Sequence, residues 1–251
     1  MKSLQESVLA AMDGTDVAQI PFFHYILQDL WEIGTDPSAV IELVRKHKKN
    51  YSGLRILDLG CGKGAVSVNL VCAFGCSCLG IDAIPEFVDV AREKAVAFDV
   101  GHRCRFEAGD IRIRVKEISG FDVIVLGSIG PVFGDYYQTL TALSPCLPQD
   151  GIIVIDDGYI DNHSRFSHLL IQKRETILRQ IDDSGMRLID ETIIDHQAIK
   201  DSDDYIFQKI EQRCRELIRR HPEKKPFLKT TSGSKSKKMM SWKTGLSVPS
   251  W

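Results

Sequence analysis

The chain has 251 residues, 43% of them apolar and 26% charged, and a formal net charge of −2. That length suits one domain with a small appendage, and the apolar share supplies a core without metals or disulfides. The near-neutral balance excludes a global electrostatic attraction to nucleic acid or anionic membranes, and no apolar run approaches the ~20 residues that span a bilayer.

Met1 to Ala18 carries charges throughout and lacks the apolar stretch of a signal peptide, so a cytoplasmic location is expected. Residues 1–50 read as a helical cap or lid ahead of a larger domain at 51–220. Ile20 to Trp31 is rich in aromatics, and Asp36-Pro37 starts a helix with Asp at the N-cap and Pro at its first position. That helix runs from Ser38 to about Lys48, with Val40, Leu43, Val44 and His47 at helical spacing. Its basic end, Arg45–Lys49, suits a helix C-terminus better than a nucleic-acid patch.

The period then changes. Leu54–Leu59, Cys76–Ile81, Cys104–Glu107, Phe121–Leu126 and Ile152–Ile155 have strand length and strand character. Helical stretches alternate with them at Ala65–Phe74, Pro85–Phe98, Tyr136–Leu143 and Phe166–Asp182, and Ile111–Ile118 reads as a loop or short helix. A further strand, Met186–Ile194, follows Gly185, and Asp203–Arg220 returns to helix. Alternation of this kind implies parallel βαβ units and a doubly wound α/β sheet with both faces covered. Residues 221–251 read as an irregular basic tail, with Lys229–Lys238 of a composition that argues disorder.

The seven cysteines lie mostly inside apolar segments. Cys72 closes a helix while Cys76 and Cys78 alternate along a strand, and no His stands at ligand spacing, so packing is expected rather than a metal.

The chemistry gathers at Asp58-Leu-Gly-Cys-Gly-Lys-Gly64, between the first strand and its helix. Glycines there permit the sharp turn and let a ligand lie against the main chain at the strand's carboxyl end. Gly60-x-Gly62-x-x-Ala65 also fits the dinucleotide fingerprint, and Asp82, after the second strand, suits ribose hydroxyls in either reading. Three features favour methyl transfer. Asp58 stands where a carboxylate suits a cationic amine better than a pyrophosphate; Ala108-Gly109-Asp110 supplies a further acceptor at the same sheet edge; and little chain remains for a separate catalytic domain.

With these residues the sequence resembles the class I S-adenosylmethionine-dependent methyltransferases over roughly Leu54 to Ile194. The resemblance implies a mostly parallel Rossmann-like sheet of order 3-2-1-4-5-7-6 with an N-terminal helical extension, and S-adenosyl-L-methionine as cofactor. Gly60, Cys61, Gly62 and Gly64 would form the loop beneath it, and Asp58 would lie near the methionine amino group. Asp82 would accept from the ribose and Asp110 from the adenine amine, with Ala83 and Ile111 beside the ring and Gly109 in the adjoining turn. Gly127 and Ser128, ending the fourth strand, would flank the methyl-transfer path. A nicotinamide-dependent oxidoreductase and a non-catalytic binding module are the alternatives.

A small-molecule acceptor is expected. Gly127-Ser-Ile-Gly130-Pro131 lacks the Asn/Asp-Pro-Pro-Tyr/Phe signature of the family's exocyclic-amine nucleic-acid enzymes, and Cys146 lies too far from the fourth strand to match the Pro-Cys of the 5-methylcytosine enzymes. Asp156-Asp157 after the fifth strand is similar to the metal-binding pair of catechol-type enzymes. The partner Asp after the fourth strand is missing, so these carboxylates are read as acceptor-pocket residues with no metal. Phe23, His24 and Tyr25 are candidates for a lid over the acceptor. Class I enzymes end on an antiparallel strand beside the fifth. Met239–Trp251, with Leu246–Val248 its only apolar part, is a poor candidate, and its loss would leave the fifth strand open to pairing in a homodimer.

Overall fold

The computed structural model describes residues 3–168, 170–224 and 244–249. Seven strands form one sheet in the order β3-β2-β1-β4-β5-β7-β6. They are β1 Arg55–Leu59, β2 Ser77–Asp82, β3 Cys104–Ala108, β4 Val123–Gly127, β5 Ile152–Asp157, β6 Asp190–Ile193 and β7 Thr244–Pro249. The first five pair in parallel, while β7 is antiparallel to both β5 and β6. The helices are α1 Leu4–Ala11, α2 Phe23–Ile26, α3 Pro37–His47, α4 Ala65–Phe74, α5 Pro85–Ala97, α6 Ile111–Arg114, α7 Tyr136–Leu143, α8 Arg174–Asp183 and α9 His196–Arg220. Among the described residues no helix is long and apolar enough to cross a membrane.

Strand periodicity divides the core into two layers. Leu57, Leu59, Ile124, Leu126, Ile153 and Ile155 face α7 and α8, while Ile56, Val123, Val125, Ile152 and Val154 face α3 and α4. Both sets are buried, which is why these strands read as near-continuous apolar runs. Cys76, Cys78 and Cys146 are buried in these layers as small hydrophobes, and Cys72 is exposed.

Three expectations need correction. The helix expected over Phe166–Asp182 begins only at Arg174. The chain doubles back before it: Ile160 N–H donates to the Gln172 carbonyl at 2.8 Å, and Glu175 N–H to Asn162 Oδ1 at 2.9 Å. The strand expected over Met186–Ile194 shortens to β6, while α9 starts at His196, seven residues earlier than expected, where Asp195 accepts from the N–H groups of Gln197 and Ala198. Finally, the tail does supply the antiparallel strand. Its ladder pairs Ile155 with Leu246 and Ile153 with Val248, covering the β5 edge on which the dimer expectation rested.

Candidate active site

Register brings the chemistry to one sheet edge. Gly80 and Val125 flank Asp58, Asp82 pairs with Ala108, and Gly127 pairs with Asp156, so β2, β4 and β5 end in a residue expected to be functional and β1 carries one at its penultimate position. Gly60, Gly62, Asp82, Ala83, Gly109, Asp110, Ile111, Gly127 and Ser128 line a single open cleft along that edge. Asp58 and Cys61 line a smaller recess beside it, with Gly60, Gly62 and Gly127 common to both. Gly64 lines neither. It adopts φ +76° as the N-cap of α4, and a Cβ there would lie 2.9 Å from Ala91 Cβ, so this glycine serves helix packing.

The Gly60 turn has φ +74°, and a Cβ on it would sit 2.3 Å from Ile129 Cγ2, where the β4–α7 loop crosses the cleft. Asp82 locks the turn from the other side. Its Oδ2 accepts from Gly62 N–H at 2.8 Å and its Oδ1 from Ile84 N–H at 2.9 Å. Burial raises its pKa against the lowering effect of those backbone donors.

Asp58 follows Ile56 on the face toward α4, where Ser67 Oγ donates to its Oδ2 at 2.6 Å. Burial pushes the carboxyl up to about 6, Ser67 opposes the rise, and the nearby Asp82 charge adds to it. Asp110 is differently placed. It caps α6, and Arg112 closes on it with Nη2–Oδ2 at 2.7 Å and Nε–Oδ1 at 2.9 Å, which lowers its pKa. Any adenine amine must therefore share this carboxylate with a guanidinium.

Two further side-chain sets complete the cleft, the second including Trp31 of the aromatic segment. Leu4, Ser7, Val8, Ala11 and Met12 of α1 form its outer wall, and Arg112 Nη1 donates to Ser7 Oγ at 3.2 Å. The Ser3-x-x-Glu6 capping box that starts α1 was the available signal. The second set fastens the N-terminal segment to the glycine turn. Lys63 Nζ donates to the carbonyls of Leu27 and Leu30, and Trp31 Nε1 donates back to the Lys63 carbonyl at 2.9 Å. Burial lowers the Lys63 pKa to about 8.

The expected lid residues lie elsewhere. Phe23 is 2% exposed in a cluster with Ile206, Ile210, Cys214 and Leu217 of α9. Tyr25 Oη donates to Glu216 at 2.9 Å, and His24 is exposed. None of the three lines a cavity at the sheet edge. Three aromatic or amphipathic residues in a row suggest a lid, but on one short helix they pair with whichever long helix crosses it. Asp156 and Asp157, in contrast, line a second cavity adjoining the cleft, separated from it by Ile129.

Comparison with solved structures defines the class of fold. S-adenosylmethionine-dependent methyltransferases from Geobacter sulfurreducens and Thiobacillus denitrificans, both in complex with S-adenosyl-L-homocysteine, superpose with TM-scores of 0.74 and 0.73. Each is 18% identical, the match covering 92% of this chain and 98% of the other. The fold is that Rossmann-like methyltransferase fold. A family model described as a methyltransferase domain matches residues 50–212, and the chain belongs to that family. Among curated proteins, the chloroplastic tocopherol O-methyltransferase of Arabidopsis thaliana is 31% identical over 70 residues. That match spans 28% of this chain and only 20% of the relative's length.

Proposed function

We propose that the chain binds S-adenosylmethionine in the cleft beneath α1 and catalyses transfer of its methyl group to a small-molecule nucleophile. The observation that carries this reading is the convergence of Gly60, Gly62, Asp82, Gly109 and Asp110 on one cleft in a methyltransferase-family fold. The side chains fit the ligand. Gly62 has φ +53° with nothing within 4 Å of a would-be Cβ, so main chain is open to close approach. Asp82 accepts from the backbone at Gly62, Ile84 and Ala83, which leaves about one of its roughly four lone-pair sites for a ribose hydroxyl. Asp58, ionised above about pH 6, places negative charge beside the recess where an ammonium group would lie.

When bound, S-adenosylmethionine supplies a methyl group already activated by a sulfonium leaving group. The protein's part is then to hold donor and acceptor in line and exclude water, tasks for which a closed cleft suffices. The family match favours S-adenosylmethionine over a dinucleotide, since the glycine spacing and Asp82 suit either.

Isothermal titration with S-adenosylhomocysteine and with NAD tests the reading. Homocysteine-ligand binding without NAD binding is expected, and Asp82→Ala should weaken it at least ten-fold. NAD binding alone would overturn the proposal.

A further inference from the structure

Resting on that reading, we infer that Arg112 is a positioning residue that joins the adenine-binding carboxylate to helix α1, so that recognition of adenine and closure of the cleft depend on one side chain. Asp110, beyond β3, and Ser7, on α1, both line the cofactor cleft, and Arg112 hydrogen-bonds to each. Its Nε and Nη2 grip the Asp110 carboxylate at 2.9 and 2.7 Å, while Nη1 reaches Ser7 Oγ at 3.2 Å. The Arg112 and Asp110 side chains are both largely buried, so salt and water screen the link little.

Local sequence puts the guanidinium there. Asp110 is the N-cap of α6, and its Oδ1 accepts from Arg112 N–H at 2.9 Å, which fixes Arg112 in the first turn. Arg114, two residues on, is held by Glu107 and Glu117, so it does not compete for the same carboxylate. The Arg112 pairing keeps the Asp110 pKa below the ordinary carboxylate value, and the group stays an ionised acceptor. With the cap and the fork in place, about one of its roughly four lone-pair sites remains, which suits a single N–H of an adenine amine. Without the fork the carboxylate would keep only its backbone donor, and its orientation toward the cleft would loosen.

Helix α1 depends on the same contact. At eight residues it is too short to be stable on its own. A short helix is ordinarily seated by an apolar stripe, yet the one buried residue of α1 is the polar Ser7. Val8 and Leu9 are only partly buried, and Leu4 is exposed. Ser7 Oγ donates to the Ser3 carbonyl at 3.0 Å, which leaves its lone pairs for the guanidinium. The polar groups therefore form one connected network, from the carboxylate that faces adenine, through Arg112, to the helix that covers it. Lysine would keep the charge but not the arrangement, because a point-like ammonium lacks the planar fork that grips a carboxylate and reaches a hydroxyl at once.

The test titrates the full-length protein with S-adenosylhomocysteine and with its analogue carrying purine in place of adenine, which lacks only the exocyclic amine. Affinities come from calorimetry and dissociation rates from stopped-flow fluorescence. The native protein should prefer S-adenosylhomocysteine about ten-fold, the worth of one hydrogen bond to a charged acceptor. Arg112→Lys should cut that preference to about three-fold or less, whereas a merely structural arginine would weaken both ligands alike. Ser7→Ala should speed dissociation of both ligands about three-fold or more and leave the preference intact. Added to Arg112→Lys, it should speed dissociation no further, since the same link is already broken. A native protein without the preference, a preference that survives Arg112→Lys, or effects of the two substitutions that multiply would overturn the inference. Should Arg112→Lys fail to fold, an unchanged dissociation rate in Ser7→Ala would overturn it equally. Absence of S-adenosylhomocysteine binding by the native protein would instead strike the proposed function.

Discussion

Asp58 takes its hydrogen bonds from one residue, Ser67, whereas Asp82 is held by the backbone of Gly62, Ala83 and Ile84, and burial pushes Asp58 up to about 6. Its folded pKa of about 6 lies above the ordinary 3.8, so the native state holds a proton that the unfolded chain has already lost. Its contribution to stability is therefore fully present below about pH 4 and lost as pH rises through about 6. Cofactor affinity should run the other way, because only the ionised carboxylate attracts the methionine ammonium. S-adenosylhomocysteine binding, followed calorimetrically from pH 5 to 8, should strengthen through about pH 6 in the native protein and stay flat in Asp58→Asn. The same substitution should raise stability at pH 7 by about 3 kcal/mol, read from denaturant midpoints. A pH dependence that survives in Asp58→Asn would assign the titration to another group. At this scale the sequence was most readable where spacing alone fixes a position, as for Gly60, Gly62 and Asp82. Asp110 shows the limit: its position was legible, but its pairing with Arg112 depends on how a four-residue helix turns, which no periodicity records.

Elements whose boundaries are set by their own residues were equally legible. α4 and α7 fall on the expected spans because Gly64 and Gly75 bracket one, and Asp135 with Gln138 caps the other. Elements shaped by distant contacts were not. The chain before α8 has helical composition but is held open by the Ile160–Lys173 bridge, and that opening forms one side of the cavity that Asp157 and Tyr136 line. The aromatic α2, expected as a lid over the acceptor, packs instead against α9, while α1 walls the cleft. A cover held by a capping box, partial apolar contacts and the Arg112–Ser7 hydrogen bond is a low-stability element of the kind that opens locally. Deleting residues 1–14 should raise the dissociation rate of S-adenosylhomocysteine ten-fold or more. Trp31, stacked on Phe98 beside the glycine turn, offers the fluorescence signal for stopped-flow measurement. An unchanged rate would mean that ligand leaves without displacing α1.

At the scale of the whole molecule, the tail decides whether the sheet is closed. A strand paired along both edges is normally free of glycine and proline, yet β7 contains Gly245, Ser247 and Pro249, so its sequence looks unlike its position. Its ladder explains the choice: six residues pair with β5 and four of them also with β6, and backbone hydrogen bonding of this kind asks little of side-chain identity. Without β7 the β5 edge would present Ile152–Asp157, an apolar strand with unpaired N–H and C=O groups, and β6 would lose the strand it pairs with. A chain ending at Arg220 should therefore melt well below the full-length protein, by roughly 5 °C or more given ~2–4 °C per kcal/mol at this size. It should also self-associate through the exposed edge, visible as a dimer or aggregate by light scattering. Because β5 carries Asp156 and Asp157, the truncation should impair acceptor turnover more than S-adenosylhomocysteine binding, which draws on β1, β2 and β3. Equal stability and an unchanged mass in the truncated chain would show that β7 contributes nothing to closing the sheet.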